Sequence, residues 1–359
     1  MQKKNNKIIK KRVAGAAFIL AIAVCILFWF FLWQWDGESR GASLLKQNKR
    51  DAIQYPSRLN GEETGTATTS LPVSIMIDNH PNAYPQSGLA DARVVYEVPV
   101  EGGITRYMAM FDSSQVVAKV GPVRSARPYY LDWAAEYGAP LYMHCGGSPQ
   151  ALRQIIEKDV FDANQFYNDP YFWRDNGRDA PYNLYTSTSL WSDYISNKKS
   201  DNSVVAWDSW NFSSDCAMAS STYVAGVKLT YNPDYNVSWR YNTETDVYDR
   251  SVNGELHLDE NPAPGGPALG GITAGNVVIQ FVKVKVIDEI GRREVGAVGT
   301  GDAMFIRCGK IVNVIWKKPT LADRTRFYDI DGKEINFSPG KIWIEVAPIG
   351  AKVSLLEHV

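Results

Sequence analysis

Residues 71–112 read LPVSIMIDNHPNAYPQSGLADARVVYEVPVEGGITRYMAMFD, and the reading of this stretch decides the fold. Val73 to Asp78 is a short apolar run of the kind that forms a largely buried strand. It ends in a carboxylate, and the turn cluster Asn79-His80-Pro81-Asn82 follows. Arg93 to Glu101 and Ile104 to Asp112 flank Gly102-Gly103, a pair suited to the positive-φ positions of a two-residue hairpin turn. That turn sets Glu101 opposite Ile104 and Pro99 opposite Arg106. The side-chain period of two then puts Glu97, Glu101 and Arg106 on one face, with the arginine diagonal to both glutamates. Read as chemistry, Glu97 or Glu101 is a candidate general acid/base, and Asp78, Glu97 and Glu101 form a weak candidate set for a divalent metal. Read as structure, the same charges make a solvated cross-strand ion network that adds little stability. Pro99 indicates an edge or a bulge.

The next stretch concentrates cations near chain reversals. In Gly121-Pro122-Val123-Arg124-Ser125-Ala126-Arg127-Pro128 the last proline suits the first turn of a helix running to about Tyr137, so Arg124 and Arg127 are expected beside a helix N-terminus. Leu141 to Cys145 reads as a strand, Gly146-Gly147 as a loop, Ser148 as N-cap and Pro149 as the first residue of a helix to about Lys158. Free amide groups, a helix dipole and guanidinium groups favour an anion, which makes Arg106, Arg124, Arg127, Gly146, Gly147 and Ser148 candidate ligand-binding residues. An ordinary capped helix accounts for Ser148-Pro149 equally. His144 and Cys145 point to opposite faces of a strand and cannot form a dyad. Cys145 is expected in the interior and His144 toward the ligand, as a further catalytic candidate. The loop from Phe172 to Asn183 mixes aromatics, arginine and carboxylates, as sugar-binding clefts and satisfied loop clusters both do, and it adds Arg174 and Asn183 to the candidates.

Val13 to Trp33 is an apolar run without a charge, and at ~1.5 Å per residue it matches a bilayer core of ~30 Å. Lys3, Lys4, Lys7, Lys10, Lys11 and Arg12 precede it, so the N-terminus is expected in the cytoplasm and everything after Trp35 outside. No small-x-small cleavage site follows the run, which favours an uncleaved single-pass anchor over a signal peptide. Trp29, Trp33 and Trp35 suit an aromatic belt, and Cys25 lies inside the apolar run. Setting aside the basic tail leaves 32 Lys+Arg against 39 Asp+Glu, a balance near −7 that argues against a nucleic-acid partner. Cys145, Cys216 and Cys308 lie outside the expected membrane segment and allow at most one disulfide. No Cys-x-x-Cys or His-x-x-x-His spacing supports a structural zinc site, and no cofactor is implied.

Residues 36–70 are rich in Gly, Ser, Thr and charge and read as a flexible tether reaching about 30 to 35 Å, within which Tyr55 to Gly61 looks structured enough to dock on the domain. After a polar boundary at 200–221 the chain reads almost wholly as strands between turns such as Asn253-Gly254, Asp331-Gly332 and Pro339-Gly340. The fold expected is α+β. A cytoplasmic tail (1–12), a transmembrane helix (13–35) and the tether (36–70) precede a mixed α/β N-terminal domain at 71–215 and a mainly antiparallel β domain at 220–359.

Several motifs, taken in order, resemble the YerB-like family of bacterial extracytoplasmic proteins. They are Met76-Ile77-Asp78-Asn79, Pro85-Gln86-Ser87-Gly88-Leu89, Val95-Tyr96-Glu97, Glu101-Gly102-Gly103-Ile104-Thr105-Arg106, the segment from Gly121 to Arg127, Gly146-Gly147-Ser148, and Arg174-Asp175 with Ala180-Pro181. In the second half Thr325-Arg326-Phe327-Tyr328-Asp329, Asp331-Gly332-Lys333, Pro339-Gly340 and Trp343-Ile344 also match. The resemblance implies a two-part domain of unknown function outside the cytoplasm and brings no activity with it. The chain departs from the family in two places. It has an apparent membrane helix where lipoprotein members carry a lipid-modified cysteine, and Tyr182 where the family has histidine. Three functions follow as expectations: capture of an anionic or glycan ligand of the envelope, hydrolysis or transfer on envelope glycan or phosphodiester, and a scaffold for another envelope protein.

Overall fold

The computed structural model describes residues 55–64, 70–199, 205–260 and 269–357. The expected cytoplasmic tail, the membrane anchor at 13–35 and the tether as far as residue 54 lie outside them. Among the described residues no helix is long and apolar enough to cross a membrane.

The first half contributes strands β1 (Pro72–Asp78), β2 (Val94–Pro99), β3 (Thr105–Asp112), β4 (Leu141–His144) and β5 (Asp162–Asn164). It also holds helices α1 (Pro128–Ala134), α2 (Pro149–Glu157) and α3 (Thr188–Lys198). The second half contributes β6 (Gly226–Asn232), β7 (Tyr235–Asn242), β8 (Val247–Val252), β9 (Asn276–Val282), β10 (Gly299–Arg307), β11 (Lys310–Lys318), β12 (Arg326–Tyr328), β13 (Ile342–Pro348) and β14 (Lys352–Leu356). The chain is thus mixed α/β with a mainly antiparallel second half, the class read from its pattern.

An eleven-stranded sheet crosses the boundary between the halves. Its order is Thr222–Tyr223, β11, β10, β9, β13, β2, β3, β1, β4, β5, with β12 also on β11. The seam is β13, parallel to β9 on one side and to β2 on the other. The expected domains at 71–215 and 220–359 therefore share backbone hydrogen bonds along this seam. Every residue of β1 and β2 is buried, since both sheet faces are covered. One face packs against α1, α2, Trp207 and Trp210. The other packs against α3 and a six-stranded antiparallel sheet ordered Glu255–Leu256, β8, β7, β6, β14, with Thr273–Ala274 also on β8.

Two polar clusters are among the contacts that fasten the halves besides the seam. The carboxylate of Asp259 accepts the backbone N–H groups of Gly88, Leu89 and Ala90 at 3.1, 2.7 and 3.1 Å, and Lys341 Nζ donates to the carbonyls of Leu89 and Ala90 at 2.7 and 2.5 Å. On the opposite face Glu136 takes Lys318 Nζ at 3.1 Å and Thr325 Oγ1 at 2.5 Å, while the guanidinium of Arg324 lies 3.4 Å from the centre of the Trp210 ring. The piece from Tyr55 docks, as expected: Ser57 Oγ donates to Asp112 at 2.8 Å, and Leu59 is in the core. Cys216 and Cys308 form a disulfide, and Cys145 is a free thiol.

Candidate functional site

Strands β1, β2, β4, β5, β9 and β13 all run the same way, so their carboxyl ends share one rim of the large sheet. At that rim β1 and β4 splay, and the segment from Pro122 to Ala126 enters between them. Asp78 N–H donates to Pro122 O, Arg124 N–H to Met76 O and Cys145 N–H to Arg124 O, at 2.9, 2.8 and 3.0 Å. This wedge positions the Arg pair, and its extended backbone sends the two guanidinium groups apart.

Arg127 is spent on Glu101, with Nε 2.7 Å from Oε1 and Nη2 2.9 Å from Oε2. Arg106 is buried and donates Nη1 to Ser125 O at 2.8 Å. Burial, then the charge of Arg127, lowers its pKa. Arg124 keeps a partly open side chain, 26 % exposed, with Nε 2.7 Å from Asp78 Oδ2. Arg174 is exposed on the two-residue strand Trp173–Arg174, paired with Leu184–Tyr185, and donates to Asn183 Oδ1 at 2.8 Å. Both of these guanidinium groups bear on the half-buried Cys145 thiol, whose pKa is raised by burial and pulled back by Arg174 and Arg124. The Tyr182 ring stacks on His80 with centroids 4.9 Å apart, and the Arg124 guanidinium lies 5.5 Å from its centre. Gly146, at φ +62°, leaves room for the Phe166 ring, which a Cβ there would meet at 2.7 Å. Phe166 and the adjacent Tyr167 are 67 % and 85 % exposed.

The remaining sequence candidates turn out otherwise. The Gly102-Gly103 turn is longer than a two-residue hairpin: Glu101–Gly103 forms a 3-10 turn, and Val98, not Pro99, pairs with Arg106. That slip of one residue moves Glu97 to the opposite face from Arg106, so the expected triad does not form. Glu101 lies beside Arg127. Burial pushes its carboxyl up, but the hydrogen bonds and charge of Arg127 outweigh this and bring it below its ordinary value, the reverse of what a general acid needs. Glu97 has no solvent exposure and cannot touch a substrate where it stands. Asp78 faces Arg124 while Glu97 faces Arg250, so the weak metal set is dispersed.

His144 is wholly buried, with Nδ1 2.7 Å from Gly146 O and Nε2 3.0 Å from Asp162 Oδ2, so it is His144 that faces inward and Cys145 that is half-open. The amides of Gly146 and Ser148 are consumed as well. Gly146 N–H donates to Asn164 Oδ1 and Ser148 N–H to Ala126 O, while Ser148 Oγ caps α2 by accepting from Ala151 N–H. Gly147 packs against Leu152 and Ala126. Asn183 is a buried staple that donates to the carbonyls of Asp175 and Arg178. Of the candidates, Arg124 and Arg174 both act electrostatically on the Cys145 thiol, and Gly146 follows it in the chain.

The most heavily bonded polar cluster lies on the other side of this corner, and sequence reasoning missed most of it. Glu97 Oε2 takes Arg250 Nη2 at 2.5 Å, and Oε1 takes Tyr235 OH and Thr105 Oγ1, each at 2.6 Å. Glu345 receives Trp239 Nε1 on Oε1 and lies beside Tyr231 OH on Oε2, both at 2.8 Å. His257 Nδ1 faces Arg250 Nη1 at 2.6 Å, and its Nε2 faces Gln86 Oε1 at 2.8 Å. A signal existed: period-two alternation in β8 puts Arg250 on the inward face with Tyr248, and Glu345 interrupts an apolar strand. Elsewhere the second half carries an open groove of about 640 Å³, with an apolar lining that includes Phe281, Met304, Ile315, Tyr328, Ile330 and Ile349.

Comparison with known proteins agrees with this two-part architecture. Residues 59–201 match the family described as protein of unknown function (DUF3048) N-terminal domain, and residues 227–344 match its C-terminal domain. The chain is 30% identical over 341 residues to "Putative lipoprotein YerB" of Bacillus subtilis (strain 168), covering 91% of this chain and 95% of that one. The crystal structure of the Bacillus subtilis YerB protein superposes with a TM-score of 0.71 at 29% identity, covering 83% of this chain and 99% of that chain. On motif order, overall identity and fold alike, the chain belongs to the YerB-like family.

Proposed function

We propose that this protein is a membrane-held, extracytoplasmic member of its family that captures an anionic glycan of the cell envelope at the rim around Cys145. The apolar run at 13–33 with its basic flank supports a single-pass anchor, N-terminus inside. The name of the Bacillus subtilis relative, a lipoprotein, supports the same side of the membrane. The disulfide between Cys216 and Cys308 suits an oxidising compartment. The observation that carries the ligand reading is that Arg124 and Arg174, fifty positions apart in the chain, both act electrostatically on Cys145, next to Gly146, over which the exposed Phe166 ring lies. Guanidinium groups pair with carboxylate or phosphate, and exposed rings stack on sugar faces.

The test is retention of the full chain, in detergent or nanodiscs, on isolated cell walls. Arg174→Ala and Phe166→Ser combined with Tyr167→Ser remove exposed groups only. Each should reduce retention at least tenfold without moving the melting temperature. Unchanged retention in both variants would overturn the reading.

A second reading, a scaffold for an envelope protein, is favoured by the groove with its exposed Ile315, Ile330 and Ile349. Site-specific crosslinking from Ile330 in cells should then recover one partner whose capture survives Arg174→Ala. Crosslinks scattered over many proteins would count against it.

A further inference from the structure

We propose that Glu345 carries a proton in the folded protein, and that Glu345, Glu97 and Arg250 form a proton-linked lock between the two sheets that weakens as pH rises above the range in which an ordinary glutamate ionises. The argument begins with position. Glu345 and Glu97 are direct neighbours on the parallel strands β13 and β2, so their side chains leave the large sheet on the same face, toward the small sheet. Both are fully buried, as is Arg250. Two ionised carboxylates against one guanidinium would leave an unbalanced buried negative charge, which a dry interior strongly penalises.

The hydrogen bonds show which carboxyl gives way. Glu97 accepts from Arg250 Nη2, Tyr235 OH and Thr105 Oγ1, with Asn79 Nδ2 at 3.4 Å as a fourth donor, the surroundings of an ionised group. Arg250 commits its other terminal nitrogen to His257 Nδ1. Its Nε stays 3.8 Å from Glu345 Oε1 and makes no hydrogen bond. Glu345 is left with the indole N–H of Trp239 on Oε1. On Oε2 it accepts from the hydroxyl of Tyr231 at 2.8 Å, so two donors face Glu345 where four face Glu97.

Among the described residues, Glu345 is faced by Glu97 from β2, Tyr231 from β6, Trp239 from β7 and Arg250 from β8, with the uncharged Ile279 as its lateral neighbour on β9, so Arg250 is the one cation acting on it. His257 lies beyond Arg250 and accepts from it, which keeps its imidazole neutral. Burial first, and Glu97 second, push the Glu345 carboxyl well above its ordinary range. The sign follows. An unfolded glutamate releases its proton near pH ~4.3, whereas the folded one holds it, so above that pH the unfolded chain binds fewer protons and stability falls as pH rises until the folded group ionises.

Infrared spectroscopy and thermal melting test the proposal on the full chain in nanodiscs. At neutral pH the wild type should show a protonated-carboxyl C=O stretch that disappears in Glu345→Gln and survives in Asp132→Asn, a control whose carboxyl is also pushed up by burial. Glutamine mimics the neutral acid, so Glu345→Gln should melt within a few degrees of wild type at neutral pH and lose the decline with rising pH that begins near pH ~4.3 in the wild type. Glu97→Gln should melt far lower at every pH. A wild type without that band, or a Glu345→Gln variant as damaged as Glu97→Gln, would overturn the proposal. If Glu345→Gln does not fold, the wild-type band decides: present and unaffected by Asp132→Asn it supports the lock, absent it refutes it.

Discussion

Arg250 and Glu97, 153 positions apart in sequence, are joined by a buried ion pair of 2.5 Å that links the small sheet to the large one. Removing one partner of such a pair strands the other charge. Arg250→Met should therefore cost about 3 to 5 kcal/mol in urea denaturation. Removing both charges, as in Glu97→Gln with Arg250→Met, should cost less than the sum of the single changes. Strict additivity would mean that the pair does not act as a unit.

Asp259 holds three consecutive backbone N–H groups, those of Gly88, Leu89 and Ala90. Asp259→Ala leaves these donors without that carboxylate and should cost at least about 2 kcal/mol, given about 1 to 3 kcal/mol for a stranded buried donor. Hydrogen exchange at the three amides should quicken well beyond that of β1. Protection unchanged at Leu89 would show that the loop is held by Lys341 alone.

The disulfide from Cys216 to Cys308 closes a sequence separation of 92 and ties the segment before β6 to the turn between β10 and β11. A chain-entropy argument gives about 4 to 5 kcal/mol for a loop of that order. Cys216→Ser with Cys308→Ser should lower the melting temperature by several degrees or more. No change in melting would indicate that the reduced, unfolded chain is already compact.

His257 supplies the acid limit. Burial, then the charge of Arg250, holds its imidazole well below the ordinary value. The unfolded chain takes up a proton near pH ~6.5 that the folded chain refuses, so the His257 contribution is complete above that pH and stability falls on its account as pH drops below it, by at most ~1.4 kcal/mol per pH unit. Proton or nitrogen NMR of the folded protein should show this ring still neutral at pH 5.5. A His257 resonance that titrates near pH 6.5 in the folded state would refute the assignment.

Much of the rim was legible along the chain. The strand ending in Asp78, the helix start at Ser148-Pro149 and the docking of the Tyr55 piece all follow from local pattern, because caps, turns and apolar runs are short-range chemistry. The Gly-Gly turn was legible as a reversal but not in length. A single residue more in the connection carried Glu97 to the other face. His144 and Cys145 exchanged expected roles for a related reason. Alternation says only that neighbours face opposite ways, and which face is inside depends on what packs there.

The order of strands and turns, the α+β class and the family follow from the sequence by itself, since hydrophobic period, turn chemistry and ordered motifs are all written in neighbouring residues. The tertiary structure alone decided that β13 inserts between β9 and β2, that Arg127 is spent on Glu101 while Arg124 and Arg174 both act electrostatically on Cys145, and that Arg250 reaches Glu97. Each of these depends on which distant charges become neighbours once water is excluded, and the cost of an unpaired buried charge then selects the pairing.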